Sequence, residues 1–336
     1  MRVFVIGGTG LLGSATSREL ISRGHEVSSL SLGPLPPGAT LPEGLEVTFG
    51  NYMEFSDDEL LAHLDGVDAL VFAAGIDERI EGPPPVYDMF ARFNIAPLDR
   101  LLGLAKRAGV GRAVVYGSYF SHFDKTMPSE ELSRWHPYIR SRRDQERMAL
   151  SHATDGFSVA VLELPYIFGA QPGRKPVWVF LVEMLRGMPG ATLYPRGGTT
   201  MVTVRQVAQA TAGAAETVAG GVAYPIGWFN LTWREMLAMM HRHLGLEGRR
   251  VVTVPSWLVR MQLRAMRRQQ ARAGHEGGLE PVRFLRLQTA ELFIDKEAAS
   301  VGLGVTDDDL DAAIGESMNS SAVCSRKNRT GSSPPS

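Results

Sequence analysis

A doubly wound α/β fold, with a parallel sheet, helices on both faces and a smaller C-terminal part, is what this 336-residue sequence predicts. Three observations carry that expectation. Residues 3–6 form a short apolar run that feeds a glycine-rich turn and then a helical pattern. Strand-length apolar runs then alternate with helix-period segments as far as residue 164, and such β-α alternation implies parallel strands joined by crossover helices. Residues 69–74 are apolar without interruption, as a strand buried on both faces should be.

The turn after the first strand reads Gly7-Gly8-Thr9-Gly10-Leu11-Leu12-Gly13, followed by the helical spacing Ala15, Leu20, Ile21. Glycine lets the chain turn sharply, admits a pyrophosphate close to the backbone and packs the helix against the strand. The helix N-terminus adds free N–H groups and partial positive charge. Strand before and helix after make this a dinucleotide-binding turn.

A second strand is expected at 26–30, a Pro/Gly-rich loop at 33–44 and a third strand at 45–49. Ser56 with Glu59 has the form of a capping box opening a helix to Leu64. Helix 97–108, strand 113–116, helix 138–152 and strand 159–164 follow. Beyond Gly169 the pattern changes: a helix at 177–186, a capping box at Thr232 and Glu235 before a helix to Leu244, and an Arg-rich helix at 261–272. That last helix reads as a solvated face, an acidic partner being the alternative. Residues 1–168 with about 200–228 are assigned to dinucleotide binding and about 169–199 with 229–317 to the substrate. The polar, Ser- and Pro-rich stretch 318–336 is expected to be a disordered tail.

A net charge of −1 gives no electrostatic reason to expect nucleic acid or an anionic membrane. The single cysteine, Cys324, excludes an internal disulfide, no apolar run is long enough to span a bilayer, and the N-terminus is a strand rather than a leader. A soluble cytoplasmic protein is expected. The eight histidines form no ligand cluster, and His241 and His243 point to different helix faces, so no metal is expected.

The chain resembles the extended short-chain dehydrogenase/reductase family, also called the NAD-dependent epimerase/dehydratase family, from residue 1 to about 313. The matches run in order: the glycine turn, Ala73-Ala74-Gly75, Asn94, Tyr116-Gly117-Ser118, Tyr138-Ile139-Arg140-Ser141-Arg142 at the Tyr-x-x-x-Lys position, Leu164-Pro165 through Gly169, and the closing Phe293-Ile294-Asp295-Lys296 with Leu303-Gly304. The resemblance implies a Rossmann domain and a tyrosine that exchanges a proton with the substrate oxygen during hydride transfer. Tyr138 takes that part, with Arg142 in the place of lysine. A unit charge about 4–5 Å away at an effective dielectric near 20 is worth about 3–4 kcal/mol, or about two to three pKa units. Arg142 is therefore expected to draw the phenol toward neutrality, although its planar fork differs from a lysine point donor.

Ser118 is the expected partner of the reacting oxygen, with Ser121 and Tyr119 in reserve. Gly7, Gly10, Leu11, Leu12, Gly13, Ser31, Asn51, Ala73, Ala74, Tyr138, Arg142 and Pro165 are the expected cofactor contacts. The second strand ends Leu30-Ser31-Leu32-Gly33, with neither the acid usual for NAD nor the arginine usual for NADP. That leans toward NADP, with NAD the alternative and Arg18 a candidate phosphate partner. Thr199 occupies the position where members acting on nucleotide sugars carry an arginine for the diphosphate. Trp178, Phe180, Leu181 and Met184 suggest an apolar wall, while Arg174, Lys175 and Arg196 are free to hold an anion. Three functions compete: a reductase or dehydrogenase of a small carbonyl or hydroxyl compound, a nucleotide-sugar epimerase or dehydratase with tightly held NAD, and a dinucleotide-binding sensor without turnover. The resemblance also implies a homodimer, through the helices holding Leu98, Leu101, Leu102 and Leu104 and residues 138–150.

Overall fold

The computed structural model describes residues 1–174 and 176–329. The strands of the main sheet are β1 (Arg2–Ile6), β2 (Glu26–Ser31), β3 (Glu46–Phe49), β4 (Ala69–Phe72), β5 (Arg112–Tyr116) and β6 (Ser158–Glu163). β7 (Tyr166–Phe168) and β8 (Gly198–Thr203) leave it, β9 (Gly221–Pro225) rejoins it, and β10 (Phe229–Thr232) and β11 (Glu291–Leu292) complete a smaller sheet. The large sheet has seven parallel strands in the order β9-β6-β5-β4-β1-β2-β3. Every residue of β4 is buried, which explains its uninterrupted apolar sequence. The chain reverses direction across the sheet between β1 and β4, so their carboxyl ends, at Gly7 and Ala73, open a crevice. The smaller sheet, with β8 flanked by β7, β10 and β11, stands beyond that crevice.

The helices are α1 (Leu11–Ser22), α2 (Asp57–Leu64), α3 (Ala96–Arg107), α4 (Tyr119–Thr126), α5 (Pro137–Ser151), α6 (Val179–Gly187), α7 (Val204–Thr217), α8 (Trp233–His243), α9 (Ser256–Arg272), α10 (Pro281–Gln288) and α11 (Leu310–Arg329). Both expected capping boxes form. Glu59 and Glu235 each donate a backbone N–H to the hydroxyl of Ser56 and Thr232 and accept the N–H of that cap residue in return. Leu98, Leu101, Leu102 and Leu104 of α3 are buried in the monomer core, so any two-fold contact there uses the outer, polar face of the helix. His241 is buried against the Thr192 hydroxyl at 2.9 Å, and His243 pairs with Asp311 at 3.2 Å. No helix among the described residues is long and apolar enough to cross a membrane.

The expected disordered tail is corrected over 318–329. α11 continues through this stretch because Leu310, Ile314 and Met318 recur at four-residue spacing and are buried against Leu181, Trp233 and Met240. Each such side chain contributes about 1.5–3 kcal/mol on full burial, enough to outweigh a Ser-rich composition. Ser317 adds a bond from its hydroxyl to the Gly169 carbonyl at 3.0 Å. Residues 330–336 of that expectation lie outside the described residues.

Glu163, the last residue of β6, is 1% exposed beside Glu146, with Lys125 Nζ 3.0 Å from the first and 2.8 Å from the second. Burial, reinforced by the Glu146 charge, pushes the Glu163 carboxyl up to about 8. The native state thus keeps a proton that the unfolded chain, with an acid near its ordinary pKa of about 4.3, releases. That stabilising contribution is complete below the unfolded value and is lost as pH rises through the folded one. Glu163→Gln stays neutral throughout. Its Tm relative to the native protein should climb steadily across that window, read by calorimetry. A difference that is flat with pH would overturn the assignment.

Candidate active site

The glycine turn is held from below by β2. Gly8 N–H donates to Ser29 Oγ at 3.0 Å and Thr9 N–H to Ser31 Oγ at 3.2 Å, and the two hydroxyls lie 2.9 Å apart. Side chains two apart on a strand share a face, so both serines point at the turn. Ser31, expected at the cofactor ribose, is instead buried as a brace, and Leu32, 63% exposed, occupies the open strand end. A Cβ on Gly13 would overlap the Gly7 carbonyl, and one on Gly7, at φ +87°, would lie 2.9 Å from the Ala73 carbonyl oxygen. Gly10 has extended backbone at the start of α1 with no side-chain cap, and no acid sits in the first turn. Its Cβ would meet only Gly7 O, at 3.3 Å. The helix N-terminus is therefore open toward the crevice.

Two further side chains approach this turn from the C-terminal part. Gln171 Nε2 and Arg174 Nε donate to the Thr9 carbonyl at 3.2 and 3.1 Å, and Arg174 Nη2 reaches Thr9 Oγ1 at 2.8 Å. Arg174 is thus bound across the turn, Arg196 and Arg18 are exposed, and Lys175 lies outside the described residues. Asn51 lines a second opening with Leu32, Gly33, Leu35 and Phe49. Its amide donates to Glu54 at 2.8 Å while its carbonyl accepts Met53 N–H at 3.1 Å.

The second residue of α5 is Tyr138, whose N–H donates to Gly278 O at 2.9 Å. The phenol is 4% exposed and accepts from Arg142 Nε at 3.1 Å, one helical turn on. Arg142 Nη1 donates to Gln145 Oε1 at 2.7 Å, and Gln145 Nε2 donates to the Asn94 carbonyl at 2.8 Å. Asn94, fully buried, in turn exchanges bonds of 2.8 and 3.0 Å with the Ile76 backbone. The arginine fork is thereby fixed at both ends. Ser118 caps α4 and lies within hydrogen-bonding reach of the phenol. Of the reserves, Tyr119 is tied to Thr199 Oγ1 at 3.1 Å, and the Ser121 hydroxyl is buried away from the cavity.

The expectation that Arg142 draws the Tyr138 phenol toward neutrality is corrected. Burial pushes it above its ordinary value; the Arg142 charge and the Arg142 and Ser118 hydrogen bonds pull against that, and the Glu78 carboxylate adds to it. Desolvation of the buried phenol is here a larger effect than the attraction of the neighbouring guanidinium. The phenol is accordingly held protonated.

These groups line one cavity of about 470 Å³ that gathers Gly10, Leu11, Leu12, Gly13, Ala73, Ala74, Ser118, Tyr138, Arg142 and Pro165. Its far wall is Tyr166, Val177, Trp178 and Phe180. Leu181 and Met184, expected beside them, pack instead into the core under α6. Arg79 pairs with Asp77, donates to the Val177 carbonyl at 2.9 Å and places its guanidinium 5.9 Å from the Phe180 ring. Sequence reasoning missed Gln145, Glu78, Arg79 and Gly278. Gln145 had a signal, three residues after Arg142 on the same helical face. Gly278 had none: a Cβ there would sit 2.8 Å from Phe90 and 3.2 Å from Tyr138 Cβ, a contact across 140 residues.

A glycine turn that opens a helix N-terminus onto the crevice, with a buried tyrosine held by a cation one helical turn on, is the arrangement of a dinucleotide-dependent enzyme. The model of the NAD dependent epimerase/dehydratase family matches residues 3–220, and the chain belongs to that family. It is an NAD(P)-binding enzyme of the extended short-chain dehydrogenase/reductase type. It is 26% identical over 196 residues to a 2-alkyl-3-oxoalkanoate reductase of Stenotrophomonas maltophilia, covering 55% of this chain and 56% of that one. It is 28% identical over 183 residues, 50% of this chain and 47% of the other, to a 3 beta-hydroxysteroid dehydrogenase/Delta 5-->4-isomerase of Mycobacterium tuberculosis. The matches span about half the length of these relatives. In fold it is similar to MoeE5 in complex with UDP-glucose and NAD, with a TM-score of 0.64 and 20% identity, covering 96% of this chain and 99% of that one.

Proposed function

We propose that the protein is an NAD(P)-dependent reductase of a carbonyl compound with an apolar body, with Tyr138 as the proton donor. The observation that carries this reading is the substrate side of the cavity. Its wall is Tyr166, Val177, Trp178 and Phe180, and Thr199, standing where the resemblance places a diphosphate-binding arginine, is fully buried and bonded to Tyr119. Among the described residues, the one cation beside that wall, Arg79, is already paired with Asp77 and stands next to the Glu78 carboxylate, so an anionic diphosphate would meet little to compensate its desolvation there. The two curated relatives, named for an alkyl-oxoalkanoate and a hydroxysteroid, support the same direction.

The residues of the glycine turn fit a dinucleotide, since Gly10 presents no side chain to the crevice and α1 opens toward it uncapped. When bound, the reduced nicotinamide supplies the hydride. Ser118 and Tyr138 donate hydrogen bonds to the carbonyl oxygen, and Tyr138 passes its proton to that oxygen as the alcohol forms. A phenol held above its ordinary pKa keeps the proton that a donor must carry at neutral pH. Arg142 keeps the phenol oxygen aimed and offsets charge left on it. At the far end, the Leu32 to Leu35 opening has no acid of its own to repel a 2′-phosphate, which favours acceptance of NADPH.

The test is oxidation of NADH and NADPH against a panel of aliphatic ketones, 3-oxo acids and oxosteroids, with UDP-glucose as the competing substrate. The reading expects net cofactor oxidation with a ketone, NADPH serving at least as well as NADH. Conversion of UDP-glucose without net cofactor turnover would replace it with the epimerase reading. Tight dinucleotide binding with no turnover of either class would replace it with the sensor.

A further inference from the structure

α9 is a 17-residue helix that contributes no buried residue to the fold. It is amphipathic in an unusual sense. Ser256, Val259, Leu263 and Gln270 are partly covered and lie on one arc, while Trp257, Leu258 and Met261 lie on the opposite arc and are 65, 46 and 58% exposed. Met266 on its flank is 44% exposed. Just ahead of the helix, Val252 and its strand partner Leu193 are 43 and 52% exposed. A soluble surface seldom gathers so much apolar area without a partner.

The charge on the same segment is one-sided. Residues 249–272 hold seven arginines and no aspartate or glutamate, in a chain whose net charge is −1. Arg267 pairs with Glu280 at 3.2 Å, whereas Arg260, Arg264, Arg268 and Arg272 are exposed and make no ion pair among the described residues. A second copy of the chain is a poor occupant, because two such faces would set arginines against arginines. An anionic bilayer surface matches both properties at once: tryptophan and methionine enter the headgroup boundary while arginines meet lipid phosphates and carboxylates.

The position of the helix adds a reason. Leu263 and Met266 line a crevice of about 240 Å³ together with Glu78, Arg79 and Phe284, and Glu78 and Arg79 also line the active-site cavity. The helix therefore forms one wall of a crevice that adjoins the active-site cavity.

We propose that α9 with the short strand Val251–Thr253 before it is an interfacial segment that docks the protein on an anionic phospholipid surface, with Trp257, Leu258 and Met261 inserted and Arg264, Arg268 and Arg272 on the headgroups. This docking does not depend on the reductase reading, and its test uses no turnover.

The full chain is sedimented with phosphatidylcholine vesicles with and without phosphatidylserine. Binding is expected only with phosphatidylserine and should weaken with salt. Two exposed double variants separate the contributions: Arg264→Glu with Arg268→Glu, and Trp257→Ser with Met261→Ser. Each should lower vesicle affinity by more than about tenfold, since a basic residue near an anionic surface contributes about fivefold, with the thermal midpoint unchanged. Binding indifferent to phosphatidylserine, or undiminished in both variants, would overturn the proposal. So would retention on polyglutamate without vesicle binding, which points to an acidic polypeptide, or variants that change only the oligomeric state by light scattering.

Discussion

Tyr138→Phe should lower the rate of carbonyl reduction by about two to four orders of magnitude, the usual share of general acid catalysis, with dinucleotide affinity nearly unchanged. The ring itself is held by packing, 5.5 Å from Phe90 and 6.4 Å from Phe120, so phenylalanine fits the same space. Only the hydroxyl that accepts from Arg142 and faces Ser118 is removed. The rate of the native enzyme should be flat across neutral pH and fall only above the ordinary tyrosine pKa, because burial keeps the donor protonated. Arg142→Met removes the one guanidinium bonded to the phenol. It should push the phenol further up and leave Gln145 without its donor, impairing turnover and dinucleotide affinity together. Full activity in the Tyr138→Phe variant, assayed with the ketone that the panel selects, would assign the proton to another group. Tyr119, tied to Thr199, is the nearest candidate.

Local chemistry made the sheet, its crossovers and two helix starts legible. Alternating apolar runs, a glycine turn and two capping boxes each act over a few residues, and each formed where its pattern lay. The misreadings have a common cause, which is that the deciding contact was distant. Ser31 looked free for a ribose because its partner, the Thr9 N–H, is contributed by the preceding turn. The stretch from Met318 looked disordered because its serines outnumber the apolar residues that α8 and α6 bury. Tyr138 looked acidified because a charge can be counted from sequence and burial cannot. Gly278 and Glu78 reach the site only through folding of loops far apart in the chain. The basic character of α9 was legible, whereas the outward direction of Trp257 and Met261 was not, since helical spacing alone places apolar residues inward by default.

Gly10→Val should abolish measurable dinucleotide binding while leaving the melting temperature close to that of the native protein. The backbone at Gly10 is extended, a conformation valine accepts, and its Cβ would face only the Gly7 carbonyl oxygen at 3.3 Å. The side chain then stands at the open end of α1, where a pyrophosphate must lie to meet the backbone N–H groups. Two charge-assisted hydrogen bonds lost at about 1.5–3 kcal/mol each weaken affinity by about two orders of magnitude or more. Gly13→Ala makes the informative contrast. Its Cβ would overlap the Gly7 carbonyl and crowd Gly8 Cα, so α1 must move away from β1. Overpacking of that kind costs about 1–3 kcal/mol, and the variant should lose stability and affinity together. Titration calorimetry and thermal melts on the two proteins separate these effects. If Gly10→Val binds NADH and NADPH as the native protein does, the phosphates lie elsewhere and the glycine turn serves packing alone.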